Sequence, residues 1–365
     1  MRFTYLLPPL LFIACQARAL DEVTVALAIP PAVHDGAPWA AAEELGLFKQ
    51  QNLAVKVLVF QGAGALLPQV ASKRVTFGYP VSEPVISSYF NKDPLPLRYF
   101  YNGTPSQTME YQVLADSPVK TLADLRDKKI GVGSLTWGTI PGSRAALREA
   151  GLEPGKNVGF VAVGVLGSGF QALRGHKIDA LNYNSSWGDI FELTGTKIRR
   201  IAYPDVYQEM PGNGFIAHQD TFTQNPDLIR RFGRAYTEAQ YVCEINPEYC
   251  VRAFWRQHPE SKPADAEGKG LEEAKTADAE GKGLEEAKTL LTRRLARTLY
   301  RADGSRRTPG EYDLPAIRRT IAAMARAGEY PSGDVPVERI FSNAFVAAFN
   351  DFDKDALRQR AEVAK

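Results

Sequence analysis

A strand–helix alternation that runs once along the chain and then starts again constrains this sequence more than any other feature. Val23-Thr24-Val25-Ala26-Leu27-Ala28 is apolar and β-branched and predicts a strand. A Pro-rich turn follows, then a helix from Trp39 to Leu45 that stops at Gly46. Leu53–Phe60 predicts a second strand ending at the turn Gln61-Gly62-Ala63-Gly64, and a helix from Ala65 to Ala71 leads to a third strand at Val75–Tyr79. The second run opens with a short helix at Leu122–Arg126, capped by Thr121, and a strand at Lys129–Gly133. Helix Arg144–Ala150, strand Val158–Val163, helix Phe170–Arg174 and strand Ile178–Leu181 complete it. Strands alternating with helices in this way build a parallel sheet with helices on its faces. Two runs predict an α/β fold of two doubly wound lobes, followed from Pro226 by a mainly helical C-terminal region. The 365 residues are enough for two cores.

The first nineteen residues read as a cleavable leader. Arg2 precedes the apolar run Tyr5–Ala14, and Ala17-Arg18-Ala19 supplies the small-x-small cleavage pattern. The run is too short for a permanent membrane span, and Pro8-Pro9 opposes a buried helix. A second reading makes Cys15 a lipid-anchored terminus, since Leu11-Phe12-Ile13-Ala14-Cys15 loosely resembles a lipoprotein box. Either reading predicts an exported, periplasmic protein.

Loss of Arg2 and Arg18 leaves basic and acidic residues equal in number. That balance gives no footing for a nucleic-acid or anionic-membrane partner. Cleavage at Ala19 also removes Cys15, so Cys243 and Cys250 remain as an even pair around the turn at Asn246-Pro247. In an oxidising compartment the pair predicts a disulfide, with two buried thiols as the other reading. ADAEGKGLEEAKT at 264–276 recurs unchanged at 277–289. Two copies are too few for a solenoid, and their Glu/Lys/Ala content predicts a solvated helix or loop without a ligand role.

Four segments carry a family resemblance: AAAEELGLFKQQNL at 40–53, LLPQVASKRVTFGY at 66–79, LADLRDKKIGV at 122–132 and FQALRGHKIDAL at 170–181. In order and spacing they resemble periplasmic solute-binding proteins of the nitrate/sulfonate/taurine type, a group that includes receptors for thiamine-pyrimidine precursors. Asp127 stands where that family usually has Gly, and Ser72-Lys73 also replaces a usual Gly. The resemblance implies a type II periplasmic binding fold with a leader at 1–19, a first lobe at 20–114 and 217–365 including the helical extension, and a second lobe at 115–216. It implies two hinge crossings, outward at Val113-Leu114-Ala115 and back at Gly214-Phe215-Ile216-Ala217. It also implies a monomeric receptor, an inner-membrane ABC permease as partner, and a small-molecule ligand without a cofactor.

Ligands of doubly wound sheets sit where loops leave the carboxyl ends of strands. Those loops hold the candidate site: His34 and Trp39; Gly62, Ala63 and Gly64; Tyr79, Ser82 and Glu83; Tyr101 and Asn102; Ser134, Thr136 and Trp137; Asn184 and Trp187. Aromatic walls with a few neutral hydrogen-bonding groups make a small-molecule pocket. Gly62 and Gly64 ahead of a helix offer backbone N–H groups to an anion, or simply make a tight turn. With no Arg or Lys among these loops, a neutral or singly anionic aromatic or heteroaromatic solute is expected.

No enzyme signature accompanies the site. The four His residues and the Cys residues lack metal-ligand spacing, so no metal is expected. Gly164–Gly169 matches neither a dinucleotide fingerprint nor a phosphate loop, and Leu166 breaks the Gly-x-Ser-x-Gly pattern around Ser168. Pyrimidine synthases of thiamine biosynthesis share the implied fold, but the Cys-rich motif they carry is not present here. Three readings remain: an ABC-importer receptor, a solute sensor working with a membrane kinase, and a pyrimidine-synthase-like enzyme.

Overall fold

The computed structural model describes residues 19–106, 108–262 and 277–365. Most of the expected leader, Cys15 and the first copy of the repeat lie outside the described residues.

Among the described residues ten strands form two five-stranded sheets. β1 (Asp21–Leu27), β2 (Leu53–Val59), β3 (Phe77–Tyr79), β4 (Leu97–Asn102) and β10 (Gly214–His218) make the first, in the order β2-β1-β3-β10-β4. β5 (Met109–Leu114), β6 (Lys129–Val132), β7 (Gly159–Ala162), β8 (Ala180–Asn184) and β9 (Ile198–Ala202) make the second, in the order β7-β6-β8-β5-β9. Each sheet contains three parallel strands from one α/β run. To these it adds an antiparallel strand, β10 or β5, which is the first strand after a crossing. The two sheets therefore share one plan, as the repeated alternation requires.

The crossings fall earlier than expected. β5 pairs with β8 and β9 in the second sheet, so the chain leaves the first sheet at 103–108, not at Val113–Ala115. β10 already pairs with β3 and β4, so the return is 203–213, not Gly214–Ala217. Apolar extended segments read equally well as hinges or as strands, and only pairing separates them. The two crossings run side by side and bond to each other: the Gly103 N–H donates to the Asn213 carbonyl (3.1 Å), and the Gly212 N–H to the Thr104 carbonyl (2.8 Å).

Helices α1 (Val33–Glu44), α2 (Ala63–Ala71), α3 (Ile140–Glu149), α4 (Gly167–Arg174) and α5 (Ser185–Leu193) follow the strands. α6 (Pro226–Ile245), α7 (Pro247–Gln257), α8 (Ala277–Leu299) and α9 (Leu314–Arg326) carry the C-terminal region. Asn225 and Asn246 cap α6 and α7, accepting from Leu228 N–H and Tyr249 N–H. Cys243 and Cys250 are joined by a disulfide across that bend, with Cα atoms 5.5 Å apart. The second copy of the repeat forms the start of α8 and supplies buried Leu284 and Ala287.

One apolar core joins the first sheet to α1, α6, α7 and α8, around Phe215, Phe232 and Phe254. A second core runs continuously from Tyr99 and Ile216 of the first sheet, through Tyr111 and Ile130 of the second, to Ile317 and Met324 of α9. The hinge side is thus a packed spine. No helix among the described residues is long and apolar enough to cross a membrane.

Candidate functional site

A cavity of about 110 Å³ lies between the two sheets. The first sheet contributes the segment after β1, the start of α1 and Tyr79. The crossings contribute Gly103, Thr108 and Asn213, and the second sheet Asn184, Ser186 and Trp187. α6 and α8 close it with Tyr236, Gln240, Arg294 and Thr298.

His34 reaches the cavity because α1 begins six residues earlier than expected. Pro38 lies inside the helix, but near its start. At this position the helix forgoes the N–H bond to the His34 carbonyl. Asp35 occupies the first turn, where a carboxylate is favoured by the helix dipole. Its Oδ2 lies 3.1 Å from His34 Nε2 and its Oδ1 2.9 Å from Arg294 Nε. Burial pushes the Asp35 carboxyl up, but the charges of His34 and Arg294 outweigh it and hold the group below the usual carboxylate range. Arg294 also donates through Nη2 to Thr104 Oγ1 at 2.8 Å, which ties α8 to the outward crossing. His34 is buried and its Nδ1 has no hydrogen-bond partner.

The aromatic walls come from both sheets. Trp39 packs against Phe48, Phe215, Phe232 and Tyr236, so most of its ring belongs to the core and one edge faces the cavity. Tyr79 lies over the backbone of Gly103, where a Cβ would stand 2.2 Å from its hydroxyl oxygen; only glycine allows this approach. Burial raises the Tyr79 phenol above its ordinary value, so it stays protonated and able to donate. Trp187 meets Tyr183 edge-on at 5.0 Å between centroids. Asn184 fixes Trp187 by accepting its backbone N–H at 2.9 Å as the cap of α5.

Of the expected site residues, the cavity gathers His34, Trp39, Tyr79, Asn184 and Trp187. The others stand apart from it. Gly62, Ala63 and Gly64 begin α2 at the surface, and the Gly62 N–H is taken by the Ala28 carbonyl. Ser82 donates to the Pro211 carbonyl at 2.6 Å, and Glu83 is buried beside it. Tyr101 is a core residue whose hydroxyl donates to Gln240 Oε1 at 2.7 Å, and Asn102 donates to the Glu311 carbonyl at 2.9 Å. Ser134 and Thr136 bond to each other at 2.9 Å on the surface. Trp137 stands behind Trp187, 5.8 Å away.

Sequence reasoning missed Asp35, Tyr236, Gln240 and Arg294. Asp35 lies in the segment where the sequence predicts a Pro-rich turn and the structure has the first turn of α1. Arg294 comes from α8, just beyond the repeat that the sequence marks as solvated, and it adds a cation to a site whose loops hold no Arg or Lys. The one available signal was the apolar spacing Leu284, Ala287, Leu291, Leu295, Leu299, which marks α8 as a packed helix.

Residues 34–249 match the family model described as NMT1/THI5 like. No curated protein matches the sequence. Among solved structures, the nitrate-binding protein NrtA from Synechocystis PCC 6803 aligns with a TM-score of 0.61 at 13% identity, covering 95% of this chain and 99% of its own. The alkanesulfonate-binding protein SsuA from Xanthomonas axonopodis pv. citri gives 0.59 at 14% identity, covering 89% and 100%. The desulfurization enzyme DszB gives 0.51 at 16% identity, covering 91% and 99%. At these identities the likeness is one of fold, and it is the two-lobed periplasmic-binding fold that the sequence predicted. With a family match across most of both α/β runs, this chain belongs to the NMT1/THI5-like family.

Proposed function

We propose that this protein is a periplasmic receptor that captures a small organic solute between its two sheets and delivers it to an ABC permease. The observation that carries this reading is the cavity itself, which draws aromatic faces and fixed polar groups from both sheets and from both crossings. A solute touching all of them favours the closed arrangement over the open one, which is how a receptor reports occupancy. The two sheets with their helices act as the lobes, and the paired crossings at 103–108 and 203–213 act as the hinge.

The solute is aromatic or heteroaromatic and neutral or singly anionic. Trp39, Tyr79 and Trp187 present flat apolar surface, while Asn184, Gln240 and the Tyr79 hydroxyl supply neutral hydrogen bonds. Arg294 is already paired with Asp35, so its charge is balanced before any ligand arrives. That balance disfavours a dianion and tolerates one carboxylate or sulfonate. The named binding neighbours, which take nitrate and an alkanesulfonate, accord with a small anionic group.

A thermal-shift panel of aromatic acids, heteroaromatic amines, alkanesulfonates and inorganic anions tests the assignment. Stabilisation by an organic solute, recovered unchanged after long incubation, is the expected result. Stabilisation by inorganic anions alone, or chemical conversion of the bound compound, overturns it.

A further inference from the structure

α8 touches both sides of the cleft, and it lies beyond the segment that defines the family. Its apolar stripe, centred on Leu291 and Leu295, packs on α1, α6 and α7 beside the first sheet. On the opposite side, Arg293 and Arg297 lie one turn apart on the same face, the i and i+4 spacing that places side chains together. They meet a cluster built entirely by the second sheet's unit. Arg297 bridges Asp189 of α5 in two-pronged fashion, with Nη1 2.5 Å from Oδ2 and Nη2 3.0 Å from Oδ1. Arg293 Nη1 lies 3.4 Å from the same carboxylate.

The charge count of that cluster explains why it needs α8. Among the described residues the second sheet's unit supplies Asp189, Glu192 and Glu110 to this cluster and pairs them with one cation of its own, Arg200. Arg200 Nη2 is 2.8 Å from Asp189 and 2.6 Å from Glu192, and Nη1 is 3.2 Å from Glu110. Alone, this group carries two uncompensated negative charges, and the Asp189 side chain is 2% exposed. The two guanidiniums of α8 restore balance. A buried carboxylate stripped of its partners is costly, and paired Arg–carboxylate geometry is among the stronger polar contacts.

We propose that α8 is an interlobe clasp: docked on the first lobe, it holds the second through Arg297 and Asp189 while presenting Arg294 to the solute cavity. One helix therefore links occupancy of the cavity with closure of the lobes. Arg294 is ordered by Asp35 and Thr104 on the cavity side, and Arg297 one turn further on is ordered by Asp189. Whatever steadies one end of this turn steadies the other, and by linkage the clasp and the solute favour each other's binding. The clasp rests on the reading of the two sheets as lobes that close on a solute.

The test uses the full-length protein with Asp189→Asn and, separately, the double variant Arg293→Gln/Arg297→Gln. The double change sits on half-exposed side chains and keeps the test open if the buried Asp189 change fails to fold. Small-angle scattering of the solute-free proteins is the deciding measurement. A larger radius of gyration than wild type in a variant with unchanged circular dichroism supports the clasp, and a solute that stabilises wild type then binds that variant about tenfold more weakly. An unchanged radius in the folded double variant overturns the clasp. Should wild type bind no solute at all, the receptor reading fails while scattering still decides the clasp.

Discussion

Arg294 Nε stands 2.9 Å from Asp35 Oδ1, joining a helix of the C-terminal region to the first turn of α1 at the rim of the cavity. The pair brings a guanidinium into the cavity lining and neutralises it in the same step. It also makes the C-terminal region part of the site, not an appendage.

Replacing Arg294 by Gln removes one of the two charges that hold the Asp35 carboxyl low. A carboxylate with a depressed pKa contributes stability above its ordinary value, and that contribution is lost as pH falls through the depressed value. The variant melts below wild type at neutral pH, and the gap narrows below about pH 4, the ordinary carboxylate value. Melting curves from pH 7 to pH 3 check this; a gap that stays constant contradicts it.

Glu238 of α6 behaves in the opposite sense. Burial pushes its carboxyl up to about 6, against the weaker pull of Arg234 and Arg360. An acid with a raised pKa binds its proton more tightly when folded, so stability falls as pH rises through that value. Glu238→Gln is therefore stabilised relative to wild type at pH 8, by on the order of 1 kcal/mol, and matches it near pH 4. Thermal melts at the two pH values read the difference directly.

Leu291 is fully buried under α8. Leu291→Ala costs about 3 kcal/mol through lost burial and the void left behind. Denaturant melts measure the loss, and a cost under about 1 kcal/mol would mean that α8 does not pack as described.

Gly64 and Trp187 separate the expected site from the observed one. Gly64 borders open space outside the cavity, so Gly64→Ala changes solute affinity by less than about twofold. Trp187→Ala removes a cavity wall and weakens binding by about thirtyfold, the size of a strong interface anchor. Isothermal titration of both variants against the same solute distinguishes them.

The fold was legible because strand and helix periodicities are local properties. Val23–Ala28, Leu53–Phe60 and Lys129–Gly133 carry their secondary structure in their own side chains. The crossings were less legible, because Val113–Ala115 has the same apolar extended character whether it pairs in a sheet or passes between two. Pairing is decided by distant partners, here β8 and β9. The site divided along the same line. Tyr79 and Asn184 end strands and Trp187 opens the helix that follows, where the doubly wound rule places them in the cleft. Arg294 arrives from more than a hundred residues downstream, through a packing stripe whose docking partners α1 and α7 no local pattern names. Tyr101 shows the reverse error: it also ends a strand, yet it points into the core and bonds Gln240.

Native mass spectrometry of the protein incubated with a mixed extract of small metabolites, beside Trp187→Ala treated identically, tests the central claim most directly. One organic solute bound per chain is expected on wild type, and its loss from the variant. Absence of any bound solute on wild type, or equal retention by Trp187→Ala, would contradict it.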